Sequence, residues 1–139
     1  MEGRQSEINV WVNGSFDVLH IGHIRLLKHA STFGKLRVGI DTDDRISKLK
    51  GEDRPFNNLS DRKEMLESLI FVDSVVSFNT DEELIDQIKK WSPKYMVIGS
   101  DYKNKNIIGS DEFDEIIFFE RIENYSTTKI LENENTRNW

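Results

Sequence analysis

A chain of 139 residues accommodates one domain, and its 37% of hydrophobic residues suffice for a packed core. With 19 basic and 25 acidic residues the net charge is −6, which argues against a general nucleic-acid or anionic-membrane surface and obliges any anionic substrate to meet a local basic cluster. Cysteine is absent, excluding disulfides, thiolate catalysis and cysteine zinc sites. No apolar run approaches the roughly 18 residues that span a bilayer and the opening residues lack a signal-peptide core, so the reading is a soluble cytoplasmic protein.

Along the chain, the β-branched and aromatic run Ile8 to Val12 reads as a first strand ending at a turn at Asn13-Gly14. Apolar residues at Ile21, Ile24, Leu27 and Ala30, widened by Leu26, predict a helix to Phe33 with Gly34 as its stop. Leu36 to Ile40 is a second strand. It is followed by the acidic Asp41 to Asp44 and by a basic stretch, Lys48 to Arg54, that reads as a mobile loop closed by Pro55. Ser60 is placed to cap a helix carrying Met65, Leu66 and Leu69, and Val75 to Phe78 is a third strand. Thr80 and Glu83 form a capping box ahead of a helix that ends at Ser92-Pro93, and Tyr95 to Ile98 is a fourth strand. Ile116 to Phe119 reads as a buried fifth strand, Ser126 as the cap of a helix running to about Glu134, and residues 133–139 as a frayed tail to a domain spanning 1–132. Strands alternating with helices of about 10 residues predict an α/β three-layer sandwich around a mainly parallel five-stranded sheet. In such sheets ligands bind beyond the carboxyl ends of the strands.

Three segments carry chemistry-bearing residues. After the first strand, Gly14, Ser15, Phe16 and Asp17 lead to His20-Ile21-Gly22-His23, two imidazoles three apart where a helix starts and therefore on one side of its first turn. Gly22 lets a ligand approach the backbone, and the unpaired N–H groups there favour an anion such as a phosphate. The same spacing also suits plain helix-start polar residues, or a metal pair that would need His29 as a third imidazole. The second segment is Lys48, Lys50 and Arg54 with Arg62 and Lys63. It is either a solvated face or, beside a strand's carboxyl end, a seat for a polyphosphate. The third is Arg121 to Ile130, where Ser126, Thr127 and Thr128 either cap a helix or hold a triphosphate. Between these, Asp101 and Tyr102 make either a polar turn or a carboxylate and a ring set against a base or sugar.

Gly14-x-Phe16-Asp17-x-x-His20-x-Gly22-His23 together with Ser126-Thr127-Thr128-Lys129-Ile130 resembles the cytidylyltransferase-like nucleotidyltransferases of the His-x-Gly-His superfamily, over nearly the whole domain. The resemblance implies a Rossmann-like fold in which His20 and His23 act at the α-phosphate and Gly14, Ser15, Phe16, Gly22 and Asp101 belong to the nucleotide site. It implies further that Lys50 bridges donor and acceptor phosphates, that Arg62 lies near the triphosphate and acceptor, and that Arg121 and Ser126 to Thr128 hold the β- and γ-phosphates. Magnesium is the implied counter-charge, with no protein metal site, and a homodimer is the implied assembly. Within the family, residues Leu49 to Arg62, Val75 to Phe78 and Gly99 to Ser110 look most like the adenylyltransferase domain of heptose-phosphate enzymes, which join ATP to heptose 1-phosphate. Arg121-x-Glu123 is instead similar to glycerol-3-phosphate cytidylyltransferases, which use CTP, and Asn124 stands where both groups usually have Gly. A non-catalytic nucleotide-binding module and a flavin adenylyltransferase are the competing readings.

Overall fold

The computed structural model describes residues 7–120. Five parallel strands, β1 (Asn9–Gly14), β2 (Lys35–Asp41), β3 (Ser74–Phe78), β4 (Tyr95–Gly99) and β5 (Glu115–Phe119), form one sheet in the order β3-β2-β1-β4-β5. The helices between them are α1 (Ile21–Ser31), α2 (Asp43–Lys50), α3 (Leu59–Glu67) and α4 (Asp81–Trp91). Similar α/β chains have this Rossmann-like layering, and the strand order reverses at β1, which is flanked by β2 on one side and β4 on the other.

The two faces of the sheet follow from the period of two along each strand. Val10 and Val12 of β1 and Leu36, Val38 and Ile40 of β2 pack with Leu27 and Ala30 of α1 and Leu66 of α3 on one face. Trp11, Phe78 and Met96 pack with Leu84 and Ile88 of α4 on the other. Gly39 lies on this second face because a Cβ there would run into the Trp11 ring.

Several elements differ from the sequence expectation, for physical reasons. β1 runs on through Asn13 and Gly14, which pair in register with Gly39 and Ile40 of β2. α1 ends at Ser31 with Thr32 as its C-cap. Gly34 instead lets the chain pass Ile8, whose carbonyl a Cβ would strike. Lys48 to Lys50 are not loop but the last turn of α2, which starts at a Thr42 side chain accepting from the Arg45 N–H at 3.2 Å. Asn58, not Ser60, caps α3. Thr80 caps α4 as expected, accepting from the Glu83 N–H, but Glu83 takes the Asn79 N–H rather than that of Thr80. β5 is last in the strand order and only half-buried rather than covered on both faces. The helix expected from Ser126 and the tail lie outside the described residues. Among the described residues no helix is long and apolar enough to cross a membrane.

Candidate active site

Above the carboxyl ends of β1, β2, β4 and β5 lies a cleft of about 400 Å³. Its floor is the β1–α1 loop, Gly14 to Phe16, and the first turn of α1. One wall comes from Asp41, Ile46, Leu49 and Lys50 on the β2–α2 side, the other from Val97 to Gly99, Asp101, Tyr102 and Phe119 on the β4–β5 side. This is the topological switch point at which α/β sheets bind ligands.

The start of α1 is capped by its own imidazoles. His20 is the N-cap, with extended backbone (φ −139°, ψ 176°), and its Nδ1 accepts the Gly22 N–H at 3.0 Å. His23 closes the reciprocal bond, its Nδ1 accepting the His20 N–H at 3.2 Å. In the usual capping box a hydroxyl and a carboxylate do this work; here the rings stack with centroids 3.7 Å apart and planes at 23°. Because Nδ1 accepts in both rings, the proton of each neutral ring is on Nε2, which becomes its N–H donor. Phe16 packs edge-on against His23 at 4.9 Å. It does so from a left-handed backbone (φ 48°), a conformation that costs a non-glycine residue about 1 kcal/mol or more and that concentrates at functional sites. Gly14 makes room for that ring, since a Cβ there would lie 3.2 Å from it.

A buried polar network beneath the floor sets the loop geometry. Asp17 is fully buried and accepts from the Phe56 N–H (2.8 Å), the Asn57 N–H (2.8 Å) and Arg54 Nε (2.9 Å). Burial alone would raise its pKa, but the Asn57 and Phe56 amides and the Arg54 charge outweigh that and hold the carboxyl below its ordinary value. Asn57 returns a bond to the Asp17 carbonyl at 2.6 Å. The segment expected to be mobile is therefore tied at its end to the β1–α1 loop through Arg54, and the residues just beyond it, Phe56 and Asn57, are tied there as well.

Arg62 is also fully buried. It donates from Nε to the Asn57 carbonyl, from Nη1 to the carbonyls of Ser15 (3.0 Å) and Asp41 (2.8 Å), and from Nη2 to Asp43 at 2.7 Å. It does not line the cleft. The structure thus sets Arg62 under the site, clamping the loops after β1 and β2.

Lys50, at the end of α2, brings its ammonium 3.3 Å from Ser15 Oγ. Burial of that end and the neighbouring Arg54 charge lower its pKa, against the opposing pull of Asp41 and Asp17. α2 is held in turn by Arg45, which bonds Asp41 (3.0 Å), the Asn79 carbonyl and Asp81 (2.8 Å).

Of the residues singled out from the sequence, the structure gathers Gly14, Ser15, Phe16, His20, Gly22, His23, Lys50 and Asp101 around one cleft. Arg121 and Ser126 to Thr128 lie outside the described residues. His29 does not join the imidazole pair: its ring packs against Phe33 at 5.1 Å and Phe119 at 5.0 Å. Among the described residues no three His, Cys, Asp or Glu side chains are grouped to hold a metal ion. Sequence reasoning missed Asp41, Asn57 and most of the apolar cleft wall, and it offered Arg54 as a solvated or phosphate-seating residue rather than as the partner of Asp17; the position of Asp41 just beyond the apolar run of β2 was the signal available for the first.

A parallel sheet with a cleft at its switch point, bordered by the first turn of α1, defines a Rossmann-like α/β protein. The chain belongs to the cytidylyltransferase-like family, whose model matches residues 11–136, and so to the nucleotidyltransferases. It is 45% identical over 130 residues to the bifunctional protein HldE of Helicobacter hepaticus, covering 93% of this chain and 27% of that protein. It is 42% identical over 136 residues to HldE of Aliarcobacter butzleri, covering 93% and 28%. The chain thus spans little more than a quarter of the length of these relatives. The lipopolysaccharide core biosynthesis protein of Thermoplasma volcanium shares the fold, with a TM-score of 0.67 at 22% identity over 85% of this chain and 100% of that one.

Proposed function

We propose that the chain transfers the adenylyl group of ATP to heptose 1-phosphate, forming ADP-heptose and pyrophosphate. The observation that carries this reading is the mutual capping of His20 and His23, which presets two Nε2–H donors at the mouth of a helix whose N-terminal dipole favours negative charge. The heptose-like segments from Leu49 to Ser110 and the 45% identity to an HldE protein support the donor and acceptor.

In this reading a phosphate oxygen of the sugar phosphate attacks the α-phosphorus. The bond from α-phosphorus to the bridging oxygen breaks, and pyrophosphate leaves with that electron pair. His20 and His23 donate to the oxygens on which charge builds, and Lys50 bridges donor and acceptor phosphates from its place beside Ser15. Arg121 and Ser126 to Thr128 hold the β- and γ-phosphates. Nothing is bonded covalently to the enzyme, so the catalytic contribution is positioning and preset electrostatics. Magnesium is usually bound through one or two carboxylates plus substrate phosphates, and Asp101, a carboxylate that lines the cleft, fits it. When bound it supplies counter-charge to the triphosphate.

The test is pyrophosphate release from a matrix of ATP and CTP against heptose 1-phosphate and glycerol 3-phosphate. ATP with heptose 1-phosphate is expected to be the productive pair, and His23→Ala to lower its turnover by at least about a hundredfold, the usual effect of losing a transition-state donor. CTP with glycerol 3-phosphate is the reading favoured by Arg121-x-Glu123, and turnover of that pair alone would replace the proposal. Nucleotide binding without turnover of any pair would make the chain a binding module.

A further inference from the structure

Asp41 is a residue to which neither the motifs nor the mechanism above assigns a substrate contact. We infer that it determines acceptor specificity, its carboxylate receiving a hydroxyl on the carbon next to the one that bears the acceptor's phosphate. The inference rests on the proposed function and deepens it.

The geometry begins with one buried atom. Arg62 Nη1 donates to the carbonyls of both Ser15 and Asp41, so the loop after β1 and the end of β2 are drawn to the same nitrogen. Ser15 Oγ in turn lies 3.3 Å from Lys50 Nζ. Asp41, Ser15 and Lys50 therefore make one corner of the cleft, on the β2–α2 side. The opposite wall is mainly apolar and aromatic, with Val97, Ile98, Tyr102 and Phe119 beside the one carboxylate of Asp101, and it carries no cation among its lining residues. With the α-phosphate at the start of α1 between the two walls, a base and its ribose suit the apolar side by burial of their faces. The acceptor is left with the corner that holds an ammonium and a carboxylate.

That corner has the chemistry of a phosphorylated polyol. A cation takes the phosphate, and a carboxylate, which only accepts hydrogen bonds, selects for a hydroxyl donor and against an ether, a hydrogen or a second anion. The carboxylate is held in place: Oδ2 accepts from Arg45 Nε at 3.0 Å, Arg45 is itself fixed by Asp81 and the Asn79 carbonyl, and Oδ1 has no hydrogen bond among the described residues. The side chain keeps 15% of its surface open. Its nearness to Lys50 sets the hydroxyl close to the phosphate, which is why the vicinal position is assigned.

The experiment is a cycle of enzyme and substrate. Wild type and Asp41→Asn are each assayed by pyrophosphate release with ATP and either heptose 1-phosphate or its 2-deoxy analogue. Asparagine keeps an oxygen for Arg45 and turns the other position from acceptor to donor. On the parent acceptor the variant is expected to lose about ten- to a hundredfold in kcat/KM, as for a lost hydrogen bond to a charged group, mostly through the acceptor KM. On the deoxy acceptor the two enzymes should differ by less than about threefold, with the KM for ATP unchanged throughout. Equal loss on both acceptors, or a loss that appears in the KM for ATP and is reversed by added magnesium, would overturn the inference and leave the adenylyl-transfer reading intact. Wild type inactive with every sugar phosphate would remove both. If Asp41→Asn does not fold, Asp41→Glu, which keeps the charge and the Arg45 pair but displaces the oxygens, must show the same dependence on the 2-hydroxyl.

Discussion

Asp17 belongs to the motif loop yet reaches no ligand, because it lies fully buried beneath the cleft floor. What it does is electrostatic and structural: it gathers two backbone N–H groups and a guanidinium from the segment after α2. Asp17→Asn leaves the buried Arg54 charge uncompensated, and removing one partner of such a pair costs about 3 kcal/mol or more. The expected outcome at pH 7 is a clear drop in the denaturant midpoint. The sign of the pH dependence follows from the lowered folded-state pKa. Stability from the ionised carboxyl is complete above the unfolded-state value, near 3.8, and is lost as pH falls through the lower folded value. Acid titration of the wild type should therefore show a loss below about pH 4 that is missing in Asp17→Asn. Parallel acid curves for the two proteins would show that the carboxyl is not what holds the loop.

At the scale of elements, the sheet was legible wherever apolar runs were flanked by breakers, and five strands emerged in the observed chain order. Their ends were not, because pairing partners decide them: Asn13 and Gly14 look like a turn until β2 supplies Gly39 and Ile40 opposite. α2 was missed because its eight residues, DDRISKLK, bury only Ile46 and so present no apolar stripe. Its existence depends on the Thr42 cap and on Arg45 and Arg62, contacts distant in sequence. Gly39 illustrates the same limit, since nothing local marks a mid-strand glycine as the seat of an indole. Gly39→Ala would force Trp11 aside, and overpacking of this kind costs about 2 kcal/mol. Trp11→Phe in the same chain should recover part of that cost, a non-additivity read from urea midpoints. An alanine tolerated within about 0.5 kcal/mol would mean the indole has other room.

The whole molecule carries a net charge of −6, yet the substrates proposed for its cleft are anions. The candidate site was legible in the sequence as far as short-range spacing reaches: His20, Gly22 and His23 share a turn, and the cleft gathers them with Ser15 and Lys50. What stayed hidden was the division of labour among the basic residues. Arg62 and Lys50 look alike in a basic run, but only the fold shows that one is fully buried against carbonyls and the other lines the cleft. This division makes a prediction for the folded state as a whole. If the cleft binds a nucleoside triphosphate, a non-hydrolysable ATP analogue at a hundred times its Kd should stabilise the chain by about 2.7 kcal/mol, a rise in Tm of roughly 9 °C for a domain of this size. Because the attraction is local and opposed by the molecule's overall charge, the shift at fixed analogue concentration should shrink as salt rises from about 0.05 M to about 0.5 M, where the Debye length falls to a few ångströms. Lys50→Met should remove much of that salt dependence without lowering the Tm of the unliganded protein, since Lys50 contributes a cleft charge and α2 is anchored by Arg45 and Arg62 instead. A shift that ignores salt, or one that Lys50→Met leaves unchanged, would put the triphosphate somewhere other than beside α2.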